Sequence, residues 1–334
     1  MGHHKLIRNS IKQNPGTDFA TSIRAIAAIS VFIAHAGVLQ MLGDNFPSYI
    51  SVIAKGTTML LAMGPVAFFI SSGFVLTLSY KASNKNYSNY ALRRYLRLTP
   101  LYFIVLFWLY LTKELSLEDL ILRLFYLDAF YPPLFNRDPI GILWTISIEF
   151  WCALLIPVFI FLFKSINPFI CLFLLFIFST LGPEILIKLG IESLQAYKSI
   201  VSSIFYFALG VFLTSIKKTA ANNNTWALVL ALSLSLTLST IYSQIISPWW
   251  AIALLTTSYI GYEFSKSKTE NTNFLLLYLG NICYGIYLFH VPIIGYISEL
   301  VHPGIVFAIS FPLVVTISVI AWKYIESPFI KMLK

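Results

Sequence analysis

The stretch TSIRAIAAISVFIAHAGV, residues 21–38, indicates the fold class, because it is an apolar helix that contains an arginine and a histidine. Arg24 and His35 are separated by ten residues, and eleven steps of about 100° return a helix to nearly the same face. Their side chains are therefore predicted to point in one direction, roughly 16 Å apart along the axis. Ionisable groups are costly inside a membrane helix, so this pair predicts a functional site within a membrane protein.

The composition extends this prediction to the whole chain of 334 residues. Hydrophobic residues make up 58% of the chain and charged residues only 11%, with a mean hydropathy of +0.78. A soluble globular domain carries about 25% charged residues. We therefore predict an all-α fold, a polytopic transmembrane helical bundle that forms a single integral-membrane domain over residues 1–334. The three cysteines lie in apolar runs, so neither a disulfide framework nor a metal site is expected.

Apolar runs predict about ten membrane spans. They cover residues 21–42, 57–80, 98–112, 140–163, 167–186, 198–216, 225–243, 248–264, 274–298 and 304–323. With the N-terminus in the cytoplasm, most of the 23 Lys and Arg residues fall on the inner side and most acids on the outer side. The positive-inside rule then predicts that both termini, including a tail over residues 1–20, are cytoplasmic. Because this topology accounts for the net charge of +9, no nucleic-acid partner is expected.

The longest predicted outer loop covers residues 113–139. Its stretch SLEDLILRLFYLDAF, residues 116–130, has the pattern of a short amphipathic helix at the membrane surface.

His35 has a chemistry that suits a general base. Neutral imidazole accepts a proton near physiological pH and can deprotonate a hydroxyl group. Alternatively, His35 joins two helices through a buried hydrogen bond. Arg24 lies near the inner boundary, where its side chain could instead extend to the lipid headgroups.

Glu149, in the run GILWTISIEFWCALLIP (residues 141–157), is the one acid central to a predicted span. Counting helix rise from the outer side puts it roughly 13 Å deep, at a depth similar to that of His35. A carboxylate there could orient the imidazole and stabilise its charge. The alternative is a salt bridge to a structural arginine.

Arg93, Arg94 and Arg97 form a basic cluster in NYSNYALRRYLRLTP, residues 86–100. Three guanidinium groups within about one helical turn could bind the phosphates of a nucleotide or coenzyme. Such clusters also determine topology or bind anionic lipid, and that interpretation stays open.

Two further motifs carry polar or small side chains. In FFISSGF, residues 68–74, the small residues around Ser72 and Gly73 permit either close helix packing or a ligand channel. In CYGIYLFHVP, residues 283–292, Tyr284, Tyr287 and His290 follow one side of a span. They could form an aromatic belt at the outer interface or contact a polar acceptor that enters from outside.

These segments together resemble the family-3 membrane acyltransferases, which modify bacterial surface glycans and related acceptors. The matching pieces are R-x10-H at Arg24 and His35, FFISSGF, RRYLRLTPLY, LWTISIEFW, YGIYLFHVP and the terminal YIESPF, in the family's order. The resemblance implies a ten-span bundle in the bacterial inner membrane and acyl transfer, usually acetylation, from acetyl-coenzyme A to a sugar hydroxyl. The implied acceptor is a cell-surface or lipid-linked glycan.

The residues themselves and this resemblance, which implies His35 and Arg24 as catalytic-site residues, together predict roles in three groups. His35, Glu149 and Arg24 are the expected catalytic residues, with Glu149 orienting His35. The coenzyme is expected to bind Arg93, Arg94 and Arg97, and its pantetheine arm to pass Ser72 and Gly73. Acceptor binding is assigned to Trp144, Tyr284, Tyr287 and His290. A transporter or flippase for a glycan-related substrate is the main alternative, since charges near the membrane midplane also mark substrate paths.

Overall fold

The computed structural model describes residues 17–39, 41, 48–83, 86–131, 137–215, 223–243, 247–266 and 273–332. Within these ranges the chain forms helices and no strand, which confirms the all-α class for this part of the molecule. Residues 1–16 of the predicted cytoplasmic tail and 132–136 of the predicted outer loop lie outside the described residues.

The helices are numbered here in chain order. They are α1 Asp18–His35, α2 Ser48–Ala62, α3 Gly64–Ala82, α4 Tyr87–Leu111, α5 Leu117–Leu124, α6 Leu143–Leu154, α7 Ile156–Ser165, α8 Pro168–Lys188, α9 Ser193–Tyr197, α10 Ile200–Leu213, α11 Asn223–Ser243, α12 Pro248–Ser265, α13 Phe274–Asn281, α14 Cys283–Leu300, α15 Pro303–Ala321 and α16 Ser327–Lys331. A 3₁₀ turn, Leu127–Phe130, follows α5, and a π-helical turn, Trp322–Glu326, joins α15 to α16.

Five helical segments among the described residues are long and apolar enough to cross a membrane. Two further helix pairs are bent, and the number of candidate spans rises to seven if each pair counts as one span. The first pair, α6 and α7, bends by 50° where Pro157 interrupts the helix; the second, α13 and α14, bends by 68° at Ile282. The structure thus supports a membrane helical bundle, and the count of ten spans stays a prediction.

Helix α1 is the centre of the bundle, because its residues take part in all three hydrophobic clusters of the core. Ala25, Ala28 and Phe32 pack towards α13, α14 and α15. Val31 packs towards α4 and α6, and Ile23 packs towards α3 and α10. Alanine at successive turns allows neighbouring helices to approach α1 closely. Charged residues on α1 are therefore surrounded by protein on several sides.

Helix α1 ends earlier than the predicted span, which continued to residue 42. Its last residue is His35, and Gly37 adopts a left-handed conformation with φ +67°. A residue in this conformation commonly terminates a helix, and glycine adopts it without steric cost. His35 therefore stands at the C-terminal end of α1, and its side chain is exposed.

The segment between α4 and α6 is organised by buried charges. Arg123 pairs with Asp128 at 3.0 Å, with both side chains fully buried, and Ser147 of α6 donates a hydrogen bond to the same carboxylate. Burial raises the pKa of Asp128 to about 6, although Arg123 opposes this shift. Asp138 accepts a hydrogen bond at 2.8 Å from the backbone N–H of Leu143, the first residue of α6. These contacts anchor the loop onto the helix that carries Glu149.

Candidate active site

Four polar residues from four helices meet in the interior of the bundle and form what we call the charged cluster: Arg24 of α1, Ser72 of α3, Arg94 of α4 and Glu149 of α6. Arg94 donates a hydrogen bond to Oε1 of Glu149, and Ser72 donates to the same oxygen at 2.7 Å. Arg24 donates to the Ser72 hydroxyl at 2.6 Å and lies 3.9 Å from Oε1 of Glu149. One carboxylate therefore joins these helices through direct and shared contacts.

The charged cluster has an excess of positive charge and unused hydrogen-bond donors. Two guanidinium groups face one carboxylate, and the Nε–H groups of Arg24 and Arg94 are buried without an acceptor among the described residues. A buried N–H without a partner is costly, so each of these groups can bind an oxygen atom of a ligand or of water. The charged cluster is therefore suited to a negatively charged or carbonyl oxygen.

A cavity of about 40 Å³, which we call the central cavity, adjoins the charged cluster. Its walls include Arg24, Arg94, Arg97, Glu149, Tyr284 and Tyr287. A volume of this size holds only a few water molecules, since one water needs about 10–15 Å³ on this measure. Phe68 and Phe69 add apolar surface to its walls.

The three arginines of the basic cluster have different environments. Arg94 is buried in the ion pair with Glu149, Arg97 is half-buried and Arg93 is exposed. All three line a second pocket of about 240 Å³ between α3, α4 and α16, here called the arginine pocket. Arg94 and Arg97 line both the arginine pocket and the central cavity, so the two spaces are neighbours. Because Arg94 is paired with Glu149, Arg93 and Arg97 are the two arginines of this pocket that we expect to contact phosphate groups.

His35 and His290 form a hydrogen-bonded pair at the other end of α1. The distance between Nδ1 of His35 and Nε2 of His290 is 3.2 Å. Nδ1 of His290 lies 2.6 Å from the Tyr287 carbonyl oxygen, and Nδ1 of His35 lies 3.0 Å from the Val31 carbonyl oxygen. Carbonyl oxygens only accept, so we assign a proton to Nδ1 of each ring from this hydrogen-bond pattern. Nε2 of His290 then accepts from His35, and Nε2 of His35 keeps its lone pair.

Two of the residues assigned to acceptor binding line the central cavity. Tyr284 donates its hydroxyl to the Leu98 carbonyl at 2.8 Å, and Tyr287 accepts a hydrogen bond from Thr145 at 2.9 Å. Because the Tyr287 carbonyl also holds His290, this residue connects the central cavity with the histidine pair. Trp144 is buried at the start of α6, and the Lys198 ammonium group lies 5.7 Å from its ring centre.

The structure corrects two of the expected arrangements. Glu149 contacts Arg94, Ser72 and Arg24, whereas His35 contacts His290, so the expected orientation of His35 by Glu149 is replaced by a histidine contact. Arg24 and His35 share a face of α1 but differ in axial position by roughly 16 Å, and Glu149 lies beside Arg24. The alternative interpretation of Glu149, a salt bridge to arginine, describes its contacts.

Gly73 also differs from its expected place in a channel for the coenzyme arm. A Cβ atom at this position would lie 2.1 Å from the Phe207 carbonyl oxygen of α10, which leaves no room for a ligand. Ser72 is rotated from Gly73 by about 100° and faces the charged cluster. The motif FFISSGF therefore combines close helix packing at Gly73 with a polar contact at Ser72.

One buried acid is not among the site residues that the sequence predicts. Glu326, in the π-helical turn, is 2% exposed, and its Oε1 has no hydrogen-bond partner among the described residues. The predicted span ended at residue 323, but the apolar helical segment continues to Ile330 and brings this carboxylate into the bundle. The motif YIESPF was a usable signal, since an acid so close to an apolar run is expensive to bury.

Comparison with known proteins agrees with the order of the motifs. The acyltransferase domain of family 3 matches residues 19–323, nearly the whole chain. No curated protein matches this chain. No solved structure matches it either. The family match and the apolar helices together identify a multi-pass membrane acyltransferase. The chain therefore belongs to the family-3 acyltransferases.

Proposed function

We propose that the protein is an O-acyltransferase of the bacterial inner membrane that transfers an acetyl group from acetyl-coenzyme A to a hydroxyl of a cell-surface or lipid-linked glycan. In this proposal the chain spans the membrane ten times, both termini are cytoplasmic and the coenzyme binds from the cytoplasm. One observation carries it: the arginine pocket, the central cavity and the histidine pair follow one another along the bundle, connected by Arg97 and Tyr287.

The arginine pocket provides the chemistry that a coenzyme A phosphate requires. Guanidinium groups of Arg93 and Arg97 can each form two hydrogen bonds to a phosphate. Arg94 and Ser72 both donate hydrogen bonds to Glu149. In this proposal their role is to keep the helices around the arginine pocket and the central cavity in place. The unpaired Nε–H groups of Arg24 and Arg94 are available to an oxygen of the arm or of its thioester carbonyl.

His35 acts in this mechanism as the general base. Its Nε2 takes the proton of the acceptor hydroxyl while the hydroxyl oxygen attacks the thioester carbonyl. The C–S bond breaks, and the thiolate leaves with the proton that His35 returns. Nε2 of His290 accepts a hydrogen bond from the Nδ1–H of His35 throughout, which keeps the lone pair of the His35 Nε2 directed at the acceptor. The position of His35 at the C-terminus of α1 favours the transient imidazolium, because the helix dipole is negative there.

The test uses the full chain purified in detergent with [¹⁴C-acetyl]coenzyme A and the de-esterified surface polysaccharide of the host cell. The wild type is expected to transfer label to the polysaccharide. His35→Ala is expected to lower turnover about 10²–10⁴-fold, the usual contribution of a general base. His302→Ala is the matched control, because this exposed histidine caps α15 and lies outside the pathway.

Two results would contradict the proposal. If the wild type transfers no label, the acetyl donor or the glycan acceptor is wrong. If His35→Ala turns over normally, the base is another group. His290→Ala adds a further check, because it is expected to slow turnover without raising the KM for acetyl-coenzyme A.

A further inference from the structure

A further polar pocket lies away from the charged cluster, near the ends of four helices. It has a volume of about 450 Å³ and is formed by the C-terminal part of α8, the region of α9 and α10, and the start of α12. We call it the aromatic pocket. Apart from Leu181, its lining residues are hydroxyl-bearing, aromatic or acidic, and they include Glu184, Tyr197, Tyr206, Trp249 and Trp250.

The rings of the aromatic pocket are held in fixed positions by each other. Tyr206 and Trp249 are nearly parallel, at 19° with 6.3 Å between ring centres, and Trp250 lies 5.6 Å from Tyr206. Trp250 in turn contacts Phe205 and Phe176 at 5.6 and 5.2 Å. Aromatic residues that only mark a membrane interface need no such arrangement around a concave space. The pocket therefore presents preorganised ring surfaces.

Several polar groups line the aromatic pocket. Tyr197 donates its hydroxyl to Oε1 of Glu184. The indole N–H groups of Trp249 and Trp250 and the hydroxyl of Tyr206 add further hydrogen-bonding groups to the lining. The pocket thus offers donors, one carboxylate acceptor and ring faces together. A hydrocarbon chain would leave these polar groups unpaired, which is unfavourable.

Contacts connect the aromatic pocket with the end of the bundle that holds the histidine pair. Lys198 follows Tyr197 directly, and its ammonium group lies over the ring of Trp144. Thr145, the next residue of α6, bonds to Tyr287, which holds His290. The predicted topology also assigns Glu184 and Trp249 to the outer side of the membrane. A long acceptor can therefore contact the pocket and His35 from the same side.

From these features we infer that the aromatic pocket binds sugar units of the acceptor glycan that are separate from the unit whose hydroxyl is acylated. A pyranose ring has C–H faces that stack on aromatic rings, and hydroxyls that both donate and accept hydrogen bonds, so it matches the mixed lining. The inference rests on the proposed function for the identity of the ligand. It predicts that the enzyme prefers long glycan chains over short fragments.

The experiment measures binding and turnover with two probes: the de-esterified surface polysaccharide of the host cell, and monosaccharides obtained from it by acid hydrolysis. The variants are Trp249→Ala, Glu184→Gln and Tyr206→Phe. Trp108→Ala is the matched control, because Trp108 is an exposed tryptophan near the end of α4, outside the pocket. Binding is followed by tryptophan fluorescence, and turnover by label transfer from [¹⁴C-acetyl]coenzyme A.

Trp249→Ala is expected to raise both the Kd and the KM for the polysaccharide about tenfold, as truncation of a central aromatic contact typically does. Glu184→Gln and Tyr206→Phe are expected to raise them less, and Trp108→Ala should change neither. For the monosaccharides, all variants should retain the wild-type KM, because a single unit at His35 does not reach the pocket. The KM for acetyl-coenzyme A should stay constant throughout.

The outcomes separate this inference from the proposed function. If the wild type transfers label but Trp249→Ala has an unchanged polysaccharide KM, the pocket is an aromatic belt only and the inference is overturned. If no label is transferred but the polysaccharide binds and Trp249→Ala weakens binding tenfold, the pocket inference holds and the proposed reaction fails. If the wild type does not bind the polysaccharide, the inference is overturned.

Discussion

Replacing Glu149 by glutamine tests whether its carboxylate balances the charge of the cluster. Glutamine keeps a similar shape and an oxygen that can accept from Ser72 and Arg94, so the change removes mainly the negative charge. At the 3.9 Å separation from Arg24, a unit charge pair contributes about 4 kcal/mol at an effective dielectric constant of 20. Removing one partner of a buried pair typically costs 3–5 kcal/mol, which agrees with this magnitude.

We therefore expect Glu149→Gln to lower the apparent Tm of the detergent-purified protein clearly. The double variant Glu149→Gln/Arg94→Gln should recover part of the loss, because it also removes one of the two unbalanced guanidinium groups. Glu118→Gln is the matched control. Glu118 lies at the same 3.9 Å from a guanidinium group, that of Arg137, but its side chain is 72% exposed. Exposed ion pairs contribute only about 0–1 kcal/mol, so its Tm should barely change.

The result that would refute this reasoning is a Glu149→Gln variant with the Tm of the wild type. The same conclusion follows if the double variant melts below the single variant, since that would show that Arg94 stabilises the bundle without its carboxylate partner. Thermal unfolding of membrane proteins is often irreversible, so all variants are compared at one heating rate.

Three further substitutions probe other parts of the structure. Gly73→Ala should lower the Tm, because its Cβ would lie 2.1 Å from the Phe207 carbonyl oxygen and overpacking costs about 1–3 kcal/mol. Gly295→Ala is the control and should leave the Tm unchanged, because no atom lies within 4 Å of the added Cβ. Equal Tm values for the two variants would contradict the packing argument. Arg123→Met should destabilise the protein by about 3–5 kcal/mol in chemical unfolding, since it leaves the fully buried Asp128 carboxylate without its counter-charge; a neutral effect would mean that the loop unfolds independently. Arg93→Glu should raise the KM for acetyl-coenzyme A about tenfold or more, because a repulsive charge replaces a phosphate contact; an unchanged KM would remove Arg93 from coenzyme binding.

Local features of the sequence predicted the fold class and much of the helix content. Hydrophobicity and helical period depend on neighbours along the chain, so apolar runs predicted most of the helices well. Boundaries were less predictable: α1 stops at His35 because Gly37 turns left-handed, and the last helical segment continues past residue 323 to bury Glu326. A glycine within an apolar run does not reveal its φ angle before the structure is known.

In the candidate site, too, some features were predictable from the sequence and others were not. The sequence by itself identified the membrane class, the family and the costly residues, including Arg24, His35 and Glu149, because an ionisable group in an apolar run is recognisable without coordinates. Only the tertiary structure decided which of them meet: Glu149 with arginines, and His35 with a histidine 255 residues further along the chain. The physical reason is that contacts between helices depend on the rotation and axial shift of each helix, which packing and bends determine over the whole bundle.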